Sequence, residues 1–385
     1  MPKPANCLLG SLIILVAAMS SFSVLQSAEL AQPHKLLTPN QFATSPGDTE
    51  PRGVSGMACL GSHGDAEREC LVVNDEEPFG QVALLTIDKL TAAPRPQGLV
   101  TFIKDHDTGE GILGTEPDVH CPGSPKGFED LDGEGVAFAR DSAGQGYLYV
   151  SGSHSCSGKG HFKPSNYILA RFKVDGPDSV RGNTEPVIER TWRLSDALRQ
   201  SMVADDFGKA KAIGTNVEGI AVIGDRLYAG LRTPVRDGHA YIVSARIEDL
   251  FAPDHTPLKR EKPEERSIPL RLPKDTGIRD LAALKGDGLL ILTGPTQDQE
   301  NVGYCLYRLA KPTADAELQL LGEITTTTKG DDGDRAKAET VSVLDETDDK
   351  LTVLIMYDNI HEGEPTRYEI PVRPQLSQKS LCAAA

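Results

Sequence analysis

Four carboxylates recur at one register of this chain: Glu134, Glu218, Asp280 and Glu339 each head a short apolar run containing a small residue. The full pattern is DGEGVAF from Asp132 to Phe138 and NVEGIAV from Asn216 to Val222. IRDLAAL from Ile278, KAETVSV from Lys337 and GVSGMAC from Gly53 are weaker copies, the last with Ser55 in the acidic position. Carboxylates converging in a confined mouth cannot all stay ionised unless a cation or basic partners offset their repulsion. Carboxylate, Asn and carbonyl oxygens without a Cys–His cluster suit a hard ion such as Ca²⁺ or Mg²⁺. Glu134, Glu218, Asp280 and Glu339 are therefore the expected metal ligands and Ca²⁺ the expected ion, with Asn216, Asp75 and Asp358 next to them. A glutamate before Gly-x-Ala has a second role open to it, capping a strand end by accepting from backbone amides of a neighbouring unit. The residues alone leave both roles open.

The loops after these runs carry the opposite charge. His154, Lys159, His161 and Lys163 lie close together, and Arg232 and Arg236 follow the equivalent strand of the next repeat. On an acidic chain such a concentration of cations attracts a phosphate or carboxylate, unless each simply pairs with a ring carboxylate. The expected roles are His154 as general base, Arg232 positioning the anion, and Ser153, Asn216, Lys159 and His161 contacting the ligand.

The elements that must position these groups are strands. After each module come further short apolar runs bounded by Gly, Asp or Asn, for example YLYVSG at Tyr147, RLYAGL at Arg226 and LLILTG at Leu289. Three or four strands per repeat, with almost no helix-period sequence, describe antiparallel blades. The register positions lie 79, 84, 62 and 59 residues apart from Ser55 to Glu339. A solenoid keeps a tighter period, whereas propeller blades tolerate long loop insertions. An all-β, five-bladed β-propeller is expected, with room for a sixth blade in Asp105–Phe128 or Phe172–Ala212; a pair of β-sandwiches is the competing architecture. A short helix is expected over Ser195–Asp206 with Ser195 as its cap. In a propeller the inner strands line a channel, so the carboxylates should meet at one mouth, ringed by the polar loops.

At 385 residues, 39% apolar and 25% charged, the chain is an ordinary globular one. Its net charge of −16 and pI near 5.0 disfavour nucleic acid and anionic membrane surfaces. Residues 1–28 have the layout of a secretory signal peptide, with Lys3, an apolar core from Leu8 to Met19 and a small-residue end at Ala28. Residues 29–52 then form an extension, 53–375 the propeller and 376–385 a tail. An exported protein, periplasmic or extracellular, with no membrane span after cleavage, is expected. Without Cys7, six cysteines remain, an even count that suggests disulfides. The repeat places Cys59 beside Cys70 in a hairpin and Cys121 and Cys156 at the same end of one unit, leaving Cys305 with Cys382. No CxxC or Cys/His spacing supports zinc. DHDTGEG from Asp105 and KGDDGDR from Lys329 do not complete a calcium loop and are read as solvated turns, and no nucleophile elbow, P-loop or dinucleotide fingerprint is present.

The segment NVEGIAVIGDRLYAGLRTPVRDGHAYIVSARI from Asn216 to Ile247, with DGEGVAF and SGSHSCSGKG, resembles an uncharacterised bacterial family of exported domains of unknown function. Its members carry an EGxA element, a Gly-Leu-Arg-x-Pro turn and a Ser-His-Ser loop; Thr233 departs from the Gly expected in that turn. The similarity extends from about Gly53 to Val372 and is strongest from Gly127 to Ile247. More distantly, the EGxA element is similar to the phytase-like esterase domain and to the gluconolactonase and strictosidine-synthase propellers. In that last group a glutamate at such a position resembles a metal ligand at the channel mouth. Carry-over reaches only Glu134 and Glu218, and Ser55 breaks the ring. Two functions remain: a cation-dependent hydrolase of a small anionic ester, lactone or phosphate, or a non-catalytic ligand-binding or scaffold propeller of the cell envelope.

Overall fold

In a computed structural model of the protein, the described residues are 33–44, 53–61, 64–174, 186–324, 329–331, 333–372 and 382. The expected signal segment and its expected cleavage point lie outside them, as does the tail apart from Cys382. The first element, β1 (His34–Lys35), returns below. Blade one is β2 (Val54–Cys59), β3 (Arg68–Asn74), β4 (Phe79–Leu85) and β5 (Leu90–Ala92), with β6 (Leu99–Thr101) pairing on the other end of β4. Blade two is β7 (Gly133–Arg140), β8 (Gly146–Gly152), β9 (Leu169–Val174) and β10 (Ile188–Thr191). Blade three is β11 (Asn216–Ile223), β12 (Arg226–Thr233), β13 (His239–Arg246) and β14 (Ser267–Arg271). Blade four is β15 (Thr276–Ala283), β16 (Leu289–Pro295), β17 (Cys305–Leu309) and β18 (Leu318–Glu323). Blade five is β19 (Ala338–Glu346), β20 (Lys350–Tyr357) and β21 (Thr366–Pro371), and β1 supplies its outer strand through His34 opposite Arg367. The extension before residue 53 thus takes part in the last blade.

The inner strands β2, β7, β11, β15 and β19 each contact the next, and β19 contacts β2, so the ring closes at five. No sixth blade occurs among the described residues. Residues 105–128 form loops, and Phe172–Ala212 carries β10 and a short helix, α1 (Arg193–Arg199). That helix begins before the expected position. Ser195 lies in its first turn and is not its cap, because its hydroxyl meets the His154 ring instead.

Five apolar clusters fill the five gaps between blades. Leu71 and Val82 meet Leu148 and Phe172 between blades one and two, and Leu292 and Leu306 meet Val353 and Tyr368 between four and five. Alternate residues of one strand serve opposite gaps: Leu290 and Leu292 face blade five, Leu289 and Ile291 face blade three. Strands buried on both faces read as continuous apolar runs, which is why LLIL lacks polar alternation. Each such fully buried leucine or isoleucine stabilises by about 2 kcal/mol.

Every inner strand carries a β-bulge at the same height. The residue without a partner is Ser55, Glu134, Glu218, Arg279 and Glu339 in blades one to five. A bulge adds one residue and re-aims its side chain. The glycine of Glu-Gly-x-Ala follows the bulge because the next inner strand passes against it. A Cβ on Gly219 would sit 2.4 Å from Asp280 Cα, and one on Gly135 would sit 2.7 Å from the Ile220 amide nitrogen. Gly219→Ala is accordingly expected to lower stability by about 2–3 kcal/mol, since backbone and not a side-chain tip must move. Urea unfolding measures this, and a loss under about 0.5 kcal/mol would mean that the inner strands separate freely.

Candidate functional site

The bulge register corrects the sequence alignment by one residue in blade four. Arg279, not Asp280, stands in the ring with Glu134, Glu218 and Glu339. Its side chain is 2% exposed, lies 3.5 Å from Glu218 Oε2 through Nη2, and pairs with Glu339 through the same nitrogen. Asp280 takes the glycine position of the motif and does what a strand cap does. Its Oδ2 accepts from the Val341 amide of the next blade at 2.7 Å and its Oδ1 from the Leu281 amide at 2.8 Å. Burial raises its carboxyl well above the usual range, and these two amide bonds pull it back only in part.

Two of the expected metal ligands are therefore held by arginine. Glu218, 1% exposed, also accepts from Arg232 Nη1 at 3.3 Å and from Asn216 Nδ2 at 2.5 Å. Burial alone would raise its pKa, but Arg279, Arg232 and Lys211 outweigh it and hold the carboxyl below normal. The same carboxylate keeps Arg232 above its usual value against the effect of burial. Arg232 Nε donates to the Thr296 carbonyl at 3.0 Å, so the guanidinium is fixed across blades three and four. Ser55, the blade-one member, donates to the Gly53 carbonyl.

Glu134 belongs to a different group. Its carboxylate lies with those of Asp75 and Asp132, one oxygen of each within 4.8 Å of the others. Asp75 heads the loop after β3, and Asp132, at φ 49, is the turn residue just before β7. Lys211 reaches this cluster from the loop before β11, at 3.5 Å from Glu134 Oε1 and 3.6 Å from Asp132 Oδ1. Burial raises Glu134 well above its usual range, and Glu218, Asp132 and Asp75 add to it, against Lys211. Asp75 is raised likewise, by burial and then by Asp358. Burial would lower the Lys211 ammonium, but Asp132, Glu134, Glu218 and Asp75 more than offset this and hold it above normal.

The donor chemistry of this cluster fits a hard divalent cation: all three ligands are carboxylates. Asp75 Oδ1, shut off from water although the residue is only half-buried, has no hydrogen-bond partner. One ammonium stands against three carboxylates. The carboxylates that could hold such a cation are those of Asp75, Asp132 and Glu134, where the sequence pattern gives Glu134, Glu218, Asp280 and Glu339. Asp132 and Lys211 are missed by that pattern. The Asp-Gly turn signature before the glutamate and the 84-residue spacing between Glu134 and Glu218, the longest between neighbouring modules, are the signals that point to them.

The basic loop residues scatter. His154 is 0% exposed, packs edge-on against Tyr167, and has Nδ1 3.0 Å from Ser195 Oγ. Burial lowers its pKa to about 3, so it offers neither surface nor basicity to a substrate. Ser153, also 0% exposed, donates to Asp132 Oδ2 and so braces the cluster from behind. His161 Nδ1 meets the Ser124 carbonyl at 2.8 Å, Lys163 pairs with Asp130 at 2.5 Å and Lys159 is exposed. Arg236 pairs with Asp206. Of the expected cations, Arg232 alone is fixed by a ring carboxylate. The three expected disulfides, Cys59–Cys70, Cys121–Cys156 and Cys305–Cys382, are all formed.

Residues 188–369, just under half of the chain, match the model of a family described as protein of unknown function (DUF3616). This agrees with the expected resemblance to an uncharacterised family; the matched stretch holds Glu218, Arg279 and Glu339 and leaves Asp75, Asp132 and Glu134 outside. A comparison with curated proteins finds no match. Among solved structures the chain is similar to an exo-β-1,3-galactanase from Phanerochaete chrysosporium, at 7% identity, covering 90% of this chain and 67% of that one, with a TM-score of 0.42. It is similar to an α-L-arabinofuranosidase from Clostridium thermocellum at 8% identity, covering 79% and 81%, with a TM-score of 0.43. It is also similar to a structure from work on the GH130 family, which contains glycoside hydrolases that target β-1,2 mannosidic linkages in Candida mannan. That alignment has 11% identity, covers 95% and 99%, and has a TM-score of 0.46. At such identities and scores these alignments carry no argument about chemistry, and they lend no support to the more distant phytase-like or gluconolactonase-like resemblance.

Proposed function

We propose that the channel mouth hydrolyses a small anionic ester, lactone or phosphate with a divalent cation, Ca²⁺ first among the candidates, held by Asp75, Asp132 and Glu134. The observation that carries this reading is the under-neutralised triad of carboxylates beside the fixed guanidinium of Arg232. When bound, such an ion supplies Lewis-acid polarisation of the scissile oxygen. Arg232, held by Glu218, orients the anionic group. Burial lifts the Asp358 carboxyl above normal, with Lys337 opposing, and it acts electrostatically on Asp75; this makes it a better proton acceptor at neutral pH than the buried His154. Asn216 acts through Glu218, and Ser153 through Asp132.

The setting is that of an exported protein, periplasmic or extracellular. Three disulfides suit an oxidising compartment, and among the described residues no helix is long and apolar enough to cross a membrane. The partner is a small anionic molecule, with nucleic acid disfavoured by the net charge of −16. One observation favours the alternative, a non-catalytic binding or scaffold propeller: Lys211 already lies among the three carboxylates as a tethered cation.

The test is a screen of nitrophenyl phosphates, carboxylic esters and lactones with Ca²⁺, Mg²⁺ or Mn²⁺, using the wild type and Asp132→Asn/Glu134→Gln. Turnover should fall at least ~100-fold in the double variant, a loss of about 2.7 kcal/mol in transition-state stabilisation. The activating ion at about 100 times its Kd should also stabilise the wild type by about 2.7 kcal/mol, and the variant not at all. No turnover with any substrate, together with a melting temperature unchanged by all three ions, would leave the binding reading.

A further inference from the structure

We propose that a second site, distinct from the carboxylate triad, binds a compact oxyanion in the cavity above blades four and five. This cavity, of about 570 Å³, is lined by Arg232, Arg279, Tyr304, Lys329, Arg335 and Lys337. It has the size of a small-molecule site. Its floor is Arg279, 2% exposed, whose Nη2 is engaged by Glu218 and Glu339 while its Nε is buried with no hydrogen-bond partner. A buried guanidinium with one donor left unpaired is costly, and the charge of an oxyanion in the adjoining cavity would offset that cost.

The wall is built for the same chemistry. The Arg335 guanidinium lies over the Tyr304 ring at 4.9 Å from its centroid, and its Nη1 donates to the Glu300 carbonyl at 3.2 Å. A guanidinium stacked in this way is pre-organised, and its planar fork matches a carboxylate or phosphate. Lys337 pairs at only 3.6 Å with Asp298, whose side chain is 86% exposed, so that partner is screened and easily exchanged. The remaining acidic groups of the lining, Glu300 and Asp334, are exposed at the rim. The lining thus sets five cationic side chains, Arg232, Arg279, Lys329, Arg335 and Lys337, against three exposed acidic residues. On a chain of net charge −16, five cationic side chains gathered on one cavity are a local departure from the overall charge.

The site shares Arg232 with the proposed hydrolytic mouth but needs no divalent ion, so the two can fail separately. Calorimetric titration of the full-length protein, without divalent metal, with inorganic phosphate and separately with citrate is the test. At least one anion should bind with a Kd below ~1 mM. Arg335→Gln/Lys337→Gln, both on the cavity wall, should weaken this at least ~10-fold, and Arg335→Lys should fall between because it keeps the charge but loses the fork. Binding of phosphate alone identifies a phosphoryl ligand and of citrate alone a carboxylate ligand. Asp132→Asn should bind the anion as the wild type does. The inference is overturned if neither anion binds at ~10 mM, if the double variant binds unchanged, or if Asp132→Asn abolishes binding, which would place the anion at the triad.

Discussion

Replacing Arg279 with glutamine is expected to destabilise the protein by roughly 3–5 kcal/mol, the cost of leaving buried charges without their partner. The loss is large because Arg279 serves two carboxylates at once. Glu218 and Glu339 are 1% and 5% exposed, and Arg279 is the foremost of the groups that hold the Glu218 carboxyl below its usual range. Without it, burial and the neighbouring Glu134 push Glu218 the other way. The damage should therefore be pH-dependent. In the wild type the depressed Glu218 stabilises at neutral pH, and this contribution is lost as pH falls through its folded value. In Arg279→Gln the carboxyl is raised, so the variant should regain relative stability in acid. Urea unfolding at neutral and mildly acidic pH measures both effects. A uniform loss under about 1 kcal/mol would show that Glu218 and Glu339 find other partners or water. Combining Arg279→Met with Glu218→Gln and Glu339→Gln removes the charges together and should recover most of the loss.

Arg279 also marks where the sequence is legible and where it is not. Short, continuous apolar runs punctuated by Gly and Asp give the five blades, because strand burial leaves a trace in composition. Hairpin geometry likewise places Cys59 opposite Cys70. Side-chain direction is a different matter. By spacing IRDLAAL puts Asp280 level with Glu134 and Glu218, but the bulge falls one residue earlier, so Arg279 and not Asp280 faces the channel. Nothing in the residue types fixes a one-residue slip, yet it exchanges an anion for a cation at the centre of the ring. The triad is half-legible for the same reason. Glu134 lies in the motif, but Asp75 comes from blade one and Lys211 from the loop entering blade three, and only the packing of successive blades brings them together. The Ser-His-Ser loop misleads because its polarity is turned inward, with Ser153 braced on Asp132 and His154 on Ser195.

That inward histidine carries the other large effect. Wild-type stability is expected to fall in mild acid by about 1.4 kcal/mol per pH unit below pH 6.5 on account of His154 alone, and a His154→Gln variant should lack this component. Burial is the only cause of its shift, from an ordinary 6.5 to about 3, and no charged neighbour contributes. The folded value is depressed, so the unfolded chain takes up the proton first. The neutral-ring contribution is complete above pH 6.5 and is lost progressively as pH falls toward 3. Between pH 7.5 and pH 4.5 the difference between wild type and variant should change by about 2.7 kcal/mol. Carboxyls whose folded pKa is raised, Glu134, Asp75 and Asp280 among them, act with the opposite sign. They favour the folded state in acid and lose that contribution as pH rises, so the wild-type profile alone would hide the histidine. Subtracting the His154→Gln profile cancels them, because the His154 ring is bounded by Ser195 and Tyr167, both neutral. A difference that stays flat across this range would mean that the ring takes up its proton in the folded state, with its buried Nε2 reaching water or a carbonyl on protonation.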